Sequence, residues 1–268
     1  MEARAYALQL LQGPTLDAKL HPPPADLSDD IPGAAMRDET SARPDALIIR
    51  SSRDVRVPPV QGMSDPAQRA RILHALANHE LQAAELFAWA LLAFPESPPP
   101  FRRGLVGILA DEQRHCRMYI NRLRAHGVEF GDYPVTGHFW NKVDTIRTPL
   151  QFVCTMGLTF ENANLDFVQE YAVAAREAGD EATGKVLDQV HIDEVDHVRF
   201  AWHWLGELKP AAEDSWTTYM ANVAWPLGPH RARGRTFDRA GRVDAGLDDT
   251  FIDRLEQTDA KRPSGEPR

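Results

Sequence analysis

Two pentapeptides decide the fold of this chain: Asp111-Glu112-Gln113-Arg114-His115 and Asp193-Glu194-Val195-Asp196-His197. Both read D-E-x-x-H. With the chain's own composition about 0.05 such matches arise by chance, so two copies are a repeat. One further glutamate stands upstream of each copy, Glu80 before Glu112 by 32 residues and Glu161 before Glu194 by 33. The halves superpose with offsets of 81 and 82 residues, which describes a duplicated helical hairpin.

Working outward from the repeat, helix signals frame each half. Ser64-Asp65-Pro66 opens a first helix, with Ser64 or Asp65 as cap and Pro66 in the first turn, and no proline follows until Pro95. A second helix is expected from about Phe101 to His126, stopped by Gly127. Residues 127–147 read as an irregular crossover. A third helix begins near Thr148-Pro149 and runs to about Ala178, Gly179-Asp180 turns the chain, and a fourth continues to about Leu208. Short, long and short connections predict an all-α four-helix bundle over residues 64–208 with one long crossover, the ferritin-like arrangement.

Spacing also explains the chemistry. Residues i and i+3 share a helix face, so Glu112 and His115 address one point, as do Glu194 and His197. Their surroundings are apolar: Leu105, Ile108 and Met118 in one half, Leu187, Val190, Ala201 and Trp204 in the other. Glu80 sits among Leu73, Leu76, Ala84 and Phe87, and Glu161 among Cys154, Leu158, Leu165 and Val168. A single E-x-x-H is ordinary on a solvated helix. Four carboxylates on inward faces are not, because each costs several kcal/mol unless paired. No lysine or arginine on those faces neutralises all four, whereas two divalent cations would, and would use both histidines. Hard oxygen donors with one imidazole per metal suit iron or manganese better than zinc.

Four further residues are candidates for a second rank around the site. Asp111 and Asp193 could accept the outer N–H of a histidine ligand, against the alternative of an ordinary helix-surface aspartate. His191 lies one turn before Glu194 and reads as an extra ligand, a proton relay or a hydrogen-bonded core histidine. Tyr119, one turn after His115, reads as a redox-active phenol or as core packing.

The flanks and composition bound the rest. The chain has 268 residues, with 39 acidic against 30 Lys and Arg for a formal charge of −9. A net acidic chain is a poor generic nucleic-acid binder. Residues 1–63 are rich in proline and turn formers and read as an extended arm packing on the bundle. Residues 209–268 read as a helical extension, with helices around Ala212–Trp225 and Asp248–Glu256 and a frayed polar tail KRPSGEPR (261–268). Arg231, Arg233, Arg235, Arg239 and Arg242 between those helices form a small basic stretch. With two cysteines, Cys116 and Cys154, no leader at the N-terminus and no apolar run of membrane length, the expected location is the cytoplasm, away from any membrane.

The motifs Glu80, Asp111-Glu112-x-x-His115, Glu161 and Asp193-Glu194-x-x-His197 resemble the ferritin-like di-iron carboxylate superfamily. The strings HELQAAEL (79–86), ADEQRH (110–115), DEVDHV (193–198) and AGLDDTFIDRLE (245–256) are most similar to a largely uncharacterised bacterial ferritin-like family, over most of the chain. DEQRH also matches the DExRH form of bacterial multicomponent monooxygenases. The resemblance implies that Glu80, Glu112 and His115 serve one iron and Glu161, Glu194 and His197 the other, with Glu112 and Glu194 as bridges. It implies two iron ions or an iron/manganese pair, and an oxidoreductase using O₂ and an electron donor to oxidise or hydroxylate a small molecule. A homodimer is compatible with it. Ferroxidase or metal-handling activity is an alternative, as is tRNA hydroxylation, by analogy with di-iron enzymes acting on isopentenyl-type adenosines. The full E-x-x-H in the second half and the long extensions depart from ferritin and favour an oxygen-activating enzyme over iron storage.

Overall fold

The computed structural model describes residues 1–37 and 40–258. The protein is all-α; strand among the described residues is confined to β1 (Ile49–Arg50) and β2 (Val135–Thr136), a parallel pair in the register Ile49 to Val135. The helices are α1 (Ala3–Gln12), α2 (Leu16–Leu20), α3 (Pro66–Ala93), α4 (Pro99–Ala125), α5 (Pro149–Phe152), α6 (Asn162–Glu177), α7 (Glu181–Leu208), α8 (Ser215–Asn222), α9 (Arg239–Asp244) and α10 (Asp249–Glu256). A π-helical stretch, Val153–Glu161, joins α5 to α6. No helix among the described residues is long and apolar enough to cross a membrane. The tail 261–268 lies outside the described residues.

The chain falls into two compact units. Unit 1 takes residues 1–144 and 174–186; unit 2 takes 145–173 and the chain from 187 onward.

In unit 1, α3 starts where its cap dictates: the Asp65 side chain accepts from the Gln68 amide at 2.8 Å, with Pro66 in the first turn. At the far end of α4, Gly127 adopts φ +73°, and the Val128 amide returns to the Leu123 carbonyl at 3.1 Å. This 6→1 bond closes the helix as a glycine-ended cap does. The expected extended arm needs correcting at its start, because α1 is a helix. It buries Ala3, Tyr6, Ala7, Leu10 and Leu11, an i, i+3, i+4, i+7, i+8 stripe in the unremarkable string ARAYALQLLQ. Lys19 then caps α1 from α2, its Nζ donating to the Leu10 and Leu11 carbonyls at 2.7 and 2.8 Å. Gln113, a variable position of the first motif, donates to Tyr6 Oη and to the Lys19 and His21 carbonyls, tying this segment to α4.

The turn between α6 and α7 belongs to the same unit and is pinned by Asp180. Its carboxylate meets Arg69 of α3 at 3.1 Å, Arg122 of α4 at 3.0 Å and His126 at 3.0 Å, and accepts from the Thr183 amide and hydroxyl. Burial alone would raise its pKa, but the Thr183 bonds and the two guanidinium groups outweigh it and hold the carboxyl at about 2.

In unit 2 the third helix of the sequence reading is not one regular α-helix. Helix α5 starts at Pro149 as expected, capped by Thr148, which accepts from Gln151 N at 3.1 Å, but nine π-helical residues follow. The wide turn is held by Thr159, whose hydroxyl donates to the carbonyl of Cys154, five residues earlier, at 2.8 Å and lies 2.9 Å from Tyr219 Oη on α8. Gly157 faces α7 so closely that an added Cβ would stand 2.2 Å from Ala201 Cβ. The helix expected around Ala212–Trp225 is shorter, α8, and the basic stretch contains an unforeseen helix, α9. Arg242 on α9 is fully buried. It meets Asp166 of α6 through two bonds of 2.7 and 3.0 Å and donates to the Asn162 carbonyl at 2.9 Å. Asp166 also accepts from the Gly234 and Asp238 amides, both at 2.7 Å, so one carboxylate anchors residues 234–242.

Candidate metal centre

Unit 1 assembles the first triad from one helix pair. Glu80 comes from α3 and Glu112 and His115 from α4, which α3 packs against. All three are buried, with His115 and Glu112 fully so. One donor atom from each lies within 4.8 Å of the others, a span that one cation can bridge. The imidazole presents Nδ1: it stands 3.7 Å from Glu80 Oε2 and 3.6 Å from Glu112 Oε2. Burial and the charge of Glu112 push the Glu80 carboxyl well above the usual carboxylate range, against the pull of His115. Among the described residues no lysine or arginine reaches Glu80.

Glu85, five residues further along α3, shows what the chain does with a buried carboxylate it means to neutralise by itself. Arg43 and Lys19 pair with it, and Ser41 Oγ and Trp140 Nε1 donate to it at 2.6 and 2.7 Å. Burial would raise its pKa, yet these cations and donors hold it below the usual range. Glu80 has Glu112 and an imidazole in the corresponding places.

Unit 2 builds the second triad. Glu161 is the last residue of the π-helical stretch, and Glu194 and His197 lie one turn apart on α7. All three are buried and their donor atoms again lie within 4.8 Å of one another. His197 presents Nδ1, as His115 does, 3.2 Å from Glu194 Oε2. The other oxygen of Glu194 accepts from Asn164 Nδ2 at 2.8 Å, which fixes the carboxylate's orientation. Asn164 did not stand out in the sequence; its only signal is a place three residues after Glu161, on the same helical face.

The second-rank candidates fall differently. Asp111 is partly exposed and pairs with Arg114 at 2.7 Å, and Asp193 accepts from Gln189 at 3.1 Å. Tyr119 is fully buried one turn beyond His115. His191 points its Nε2 toward the C-terminal extension, 2.7 Å from Asp238 Oδ2 and 2.8 Å from Gln169 Nε2. These are hydrogen bonds of a part-exposed histidine. Cys116 and Cys154 are both buried free thiols, and burial raises both pKa values, Cys154 to about 12.

The donor set of each triad, two carboxylates and an imidazole, fits a hard or intermediate divalent cation. No curated protein and no solved structure matches the chain. A family model described as protein of unknown function (DUF455) matches residues 14–253, a span holding all six ligand candidates, and the chain belongs to that family.

Proposed function

We propose that the two triads form one dinuclear metal centre within a ferritin-like four-helix bundle of α3, α4, the 149–177 helix and α7. Glu80, Glu112 and His115 hold one ion, and Glu161, Glu194 and His197 the other. The ions are two irons, or iron with manganese, and the protein is an oxidoreductase that uses O₂ to oxidise or hydroxylate a small organic molecule with electrons from a separate donor. The observation that carries this reading is Glu80: a buried carboxylate beside a second buried carboxylate, met by an imidazole where Glu85 on the same helix is met by arginine and lysine.

Iron bound by such a set supplies the redox chemistry with O₂. The chain's own residues set its conditions. The carboxylates fix charge, each imidazole offers Nδ1 toward its own glutamates, and Asn164 Nδ2 keeps Glu194 from rotating. Leu73 and Phe87 on the helix of Glu80, and Leu158 and Leu165 close to Glu161 in the chain, are buried, which suits ligands kept from bulk water.

The arginine stretch lends little to an RNA substrate. Arg242 is consumed by Asp166, Arg239 by Asp253 and Glu256, and Arg233 donates to the Glu256 carbonyl, leaving Arg231 and Arg235 as its exposed members. Anaerobic Fe²⁺ loading followed by mixing with O₂ tests the function. An absorbance change that Glu112→Ala lacks, with electron use that rises on adding an organic substrate, is expected; many Fe²⁺ turnovers with no organic substrate would instead establish a ferroxidase.

A further inference from the structure

A cavity of about 260 Å³ opens in unit 1, and none of the six ligand candidates lines it, although His79 of its lining directly precedes Glu80. Its floor is the face of α3 that carries Arg71, His74, Ala75, Asn78 and His79, positions i, i+3, i+4, i+7 and i+8. Its walls are the 53–57 segment and the 133–136 segment that includes β2. The second wall is fixed in place. His74 Nε2 accepts from the Gly131 amide at 2.9 Å, and Asn78 Nδ2 donates to the Thr136 carbonyl at 3.0 Å.

The lining carries three guanidinium groups, from Arg53, Arg56 and Arg71, against one carboxylate, Asp54. Arg71 lies over the Tyr133 ring, 4.9 Å from its centroid. Among the described residues none of these three arginines meets a carboxylate, whereas Arg102 is taken by Asp29, Arg122 by Asp180 and Arg242 by Asp166. In a chain with 39 acidic and 30 basic residues, three such arginines lining one concavity against a single carboxylate make a local excess of positive charge. Positive charge at the mouth of a cleft raises the local concentration of anions, and guanidinium groups match carboxylate and phosphate geometry.

We propose that this cavity binds a small organic anion bearing a carboxylate or phosphate group, with Arg53, Arg56 and Arg71 as its charge partners and the Tyr133 ring beside its body. The volume lies just below the usual range of ligand pockets, about 300–1,000 Å³, which suits a small metabolite and not a peptide. The site needs neither metal ion.

Calorimetric titration of the full-length protein tests it, with glutarate and glycerol 3-phosphate as anionic probes and glycerol as the neutral counterpart. One or both anions are expected to bind with a Kd below about 1 mM, and glycerol not to bind. Arg56→Gln and Arg71→Gln, each at exposed positions and checked for wild-type circular dichroism, should weaken binding at least about tenfold. Arg235→Gln, an exposed arginine of unit 2, should leave it unchanged. The proposal is overturned if neither anion binds, if glycerol binds as well, or if Arg235→Gln weakens binding as much as Arg71→Gln. The stronger of the two probes tells carboxylate from phosphate.

Discussion

Glu80 and Glu85 are both buried on α3, and their surroundings push their carboxyl pKa values in opposite directions. Glu85 closes an ion-pair network that joins residues 19–43 to the helix, so replacing it leaves Lys19 and Arg43 without their countercharge. Glu85→Gln should cost about 3 kcal/mol in urea unfolding at pH 7. Because its folded pKa is depressed, its stabilisation is present above the ordinary carboxylate pKa and is lost as pH falls through the lowered value. The wild type should therefore lose more stability on acidification than Glu85→Gln does. Glu80→Gln removes one of two repelling carboxylates. In chelator it should be at least as stable as wild type, while its iron affinity falls. A stability loss in Glu80→Gln equal to that in Glu85→Gln would make both glutamates structural. The sequence could show that Glu80 matches Glu161 by repeat, but not that Glu85 differs. That difference depends on Arg43 and Lys19, which lie 42 and 66 residues before Glu85 in a segment with no periodicity.

At the scale of elements, caps and breakers were legible because they act over three or four residues. Asp65, Thr148 and Gly127 end or start helices where their side chains or backbone freedom require. The π-helical stretch was not legible, since VCTMGLTFE has the composition of an ordinary buried helix. What holds it is tertiary: Thr159 with Tyr219, and Gly157 against Ala201. π-helical turns are frequent at functional sites because the extra residue re-aims the side chains around it, and this one ends on Glu161. Gly157→Ala should force α7 away from the stretch, cost about 1–3 kcal/mol, and weaken metal binding by the Glu161 triad. Ala201→Gly added to it should restore much of both, as read by urea unfolding and metal titration. Equal loss in the single and double variants would place the effect elsewhere than the Gly157–Ala201 approach.

At the scale of the whole molecule, the repeat was visible as two motifs at matching offsets, and each motif lies in a buried triad of like composition. The helices near Ala212–Trp225 and Asp248–Glu256 were legible, whereas α1, α9 and the polar anchors of the extensions were not, because apolar residues there are sparse. Arg242, read as part of a basic stretch, is the buried anchor of residues 232–242. Arg242→Ala leaves Asp166 buried without its cation, so it should cost about 3–5 kcal/mol and open residues 232–258 to limited proteolysis before the rest of the chain. Cleavage at the wild-type rate would show that the extension is held by its apolar contacts alone. The acidic surplus also changes meaning: Glu80, Glu112, Glu161 and Glu194 are buried carboxylates, not surface charge. The proposed dinuclear centre is tested most directly by counting metal. Full-length protein is loaded with Fe²⁺ without oxygen, freed of unbound metal by gel filtration and analysed for iron per chain. Wild type should hold two, Glu112→Ala/His115→Ala and Glu194→Ala/His197→Ala at most one each. No iron in the wild type, or two in either variant, would contradict a centre built from these six residues.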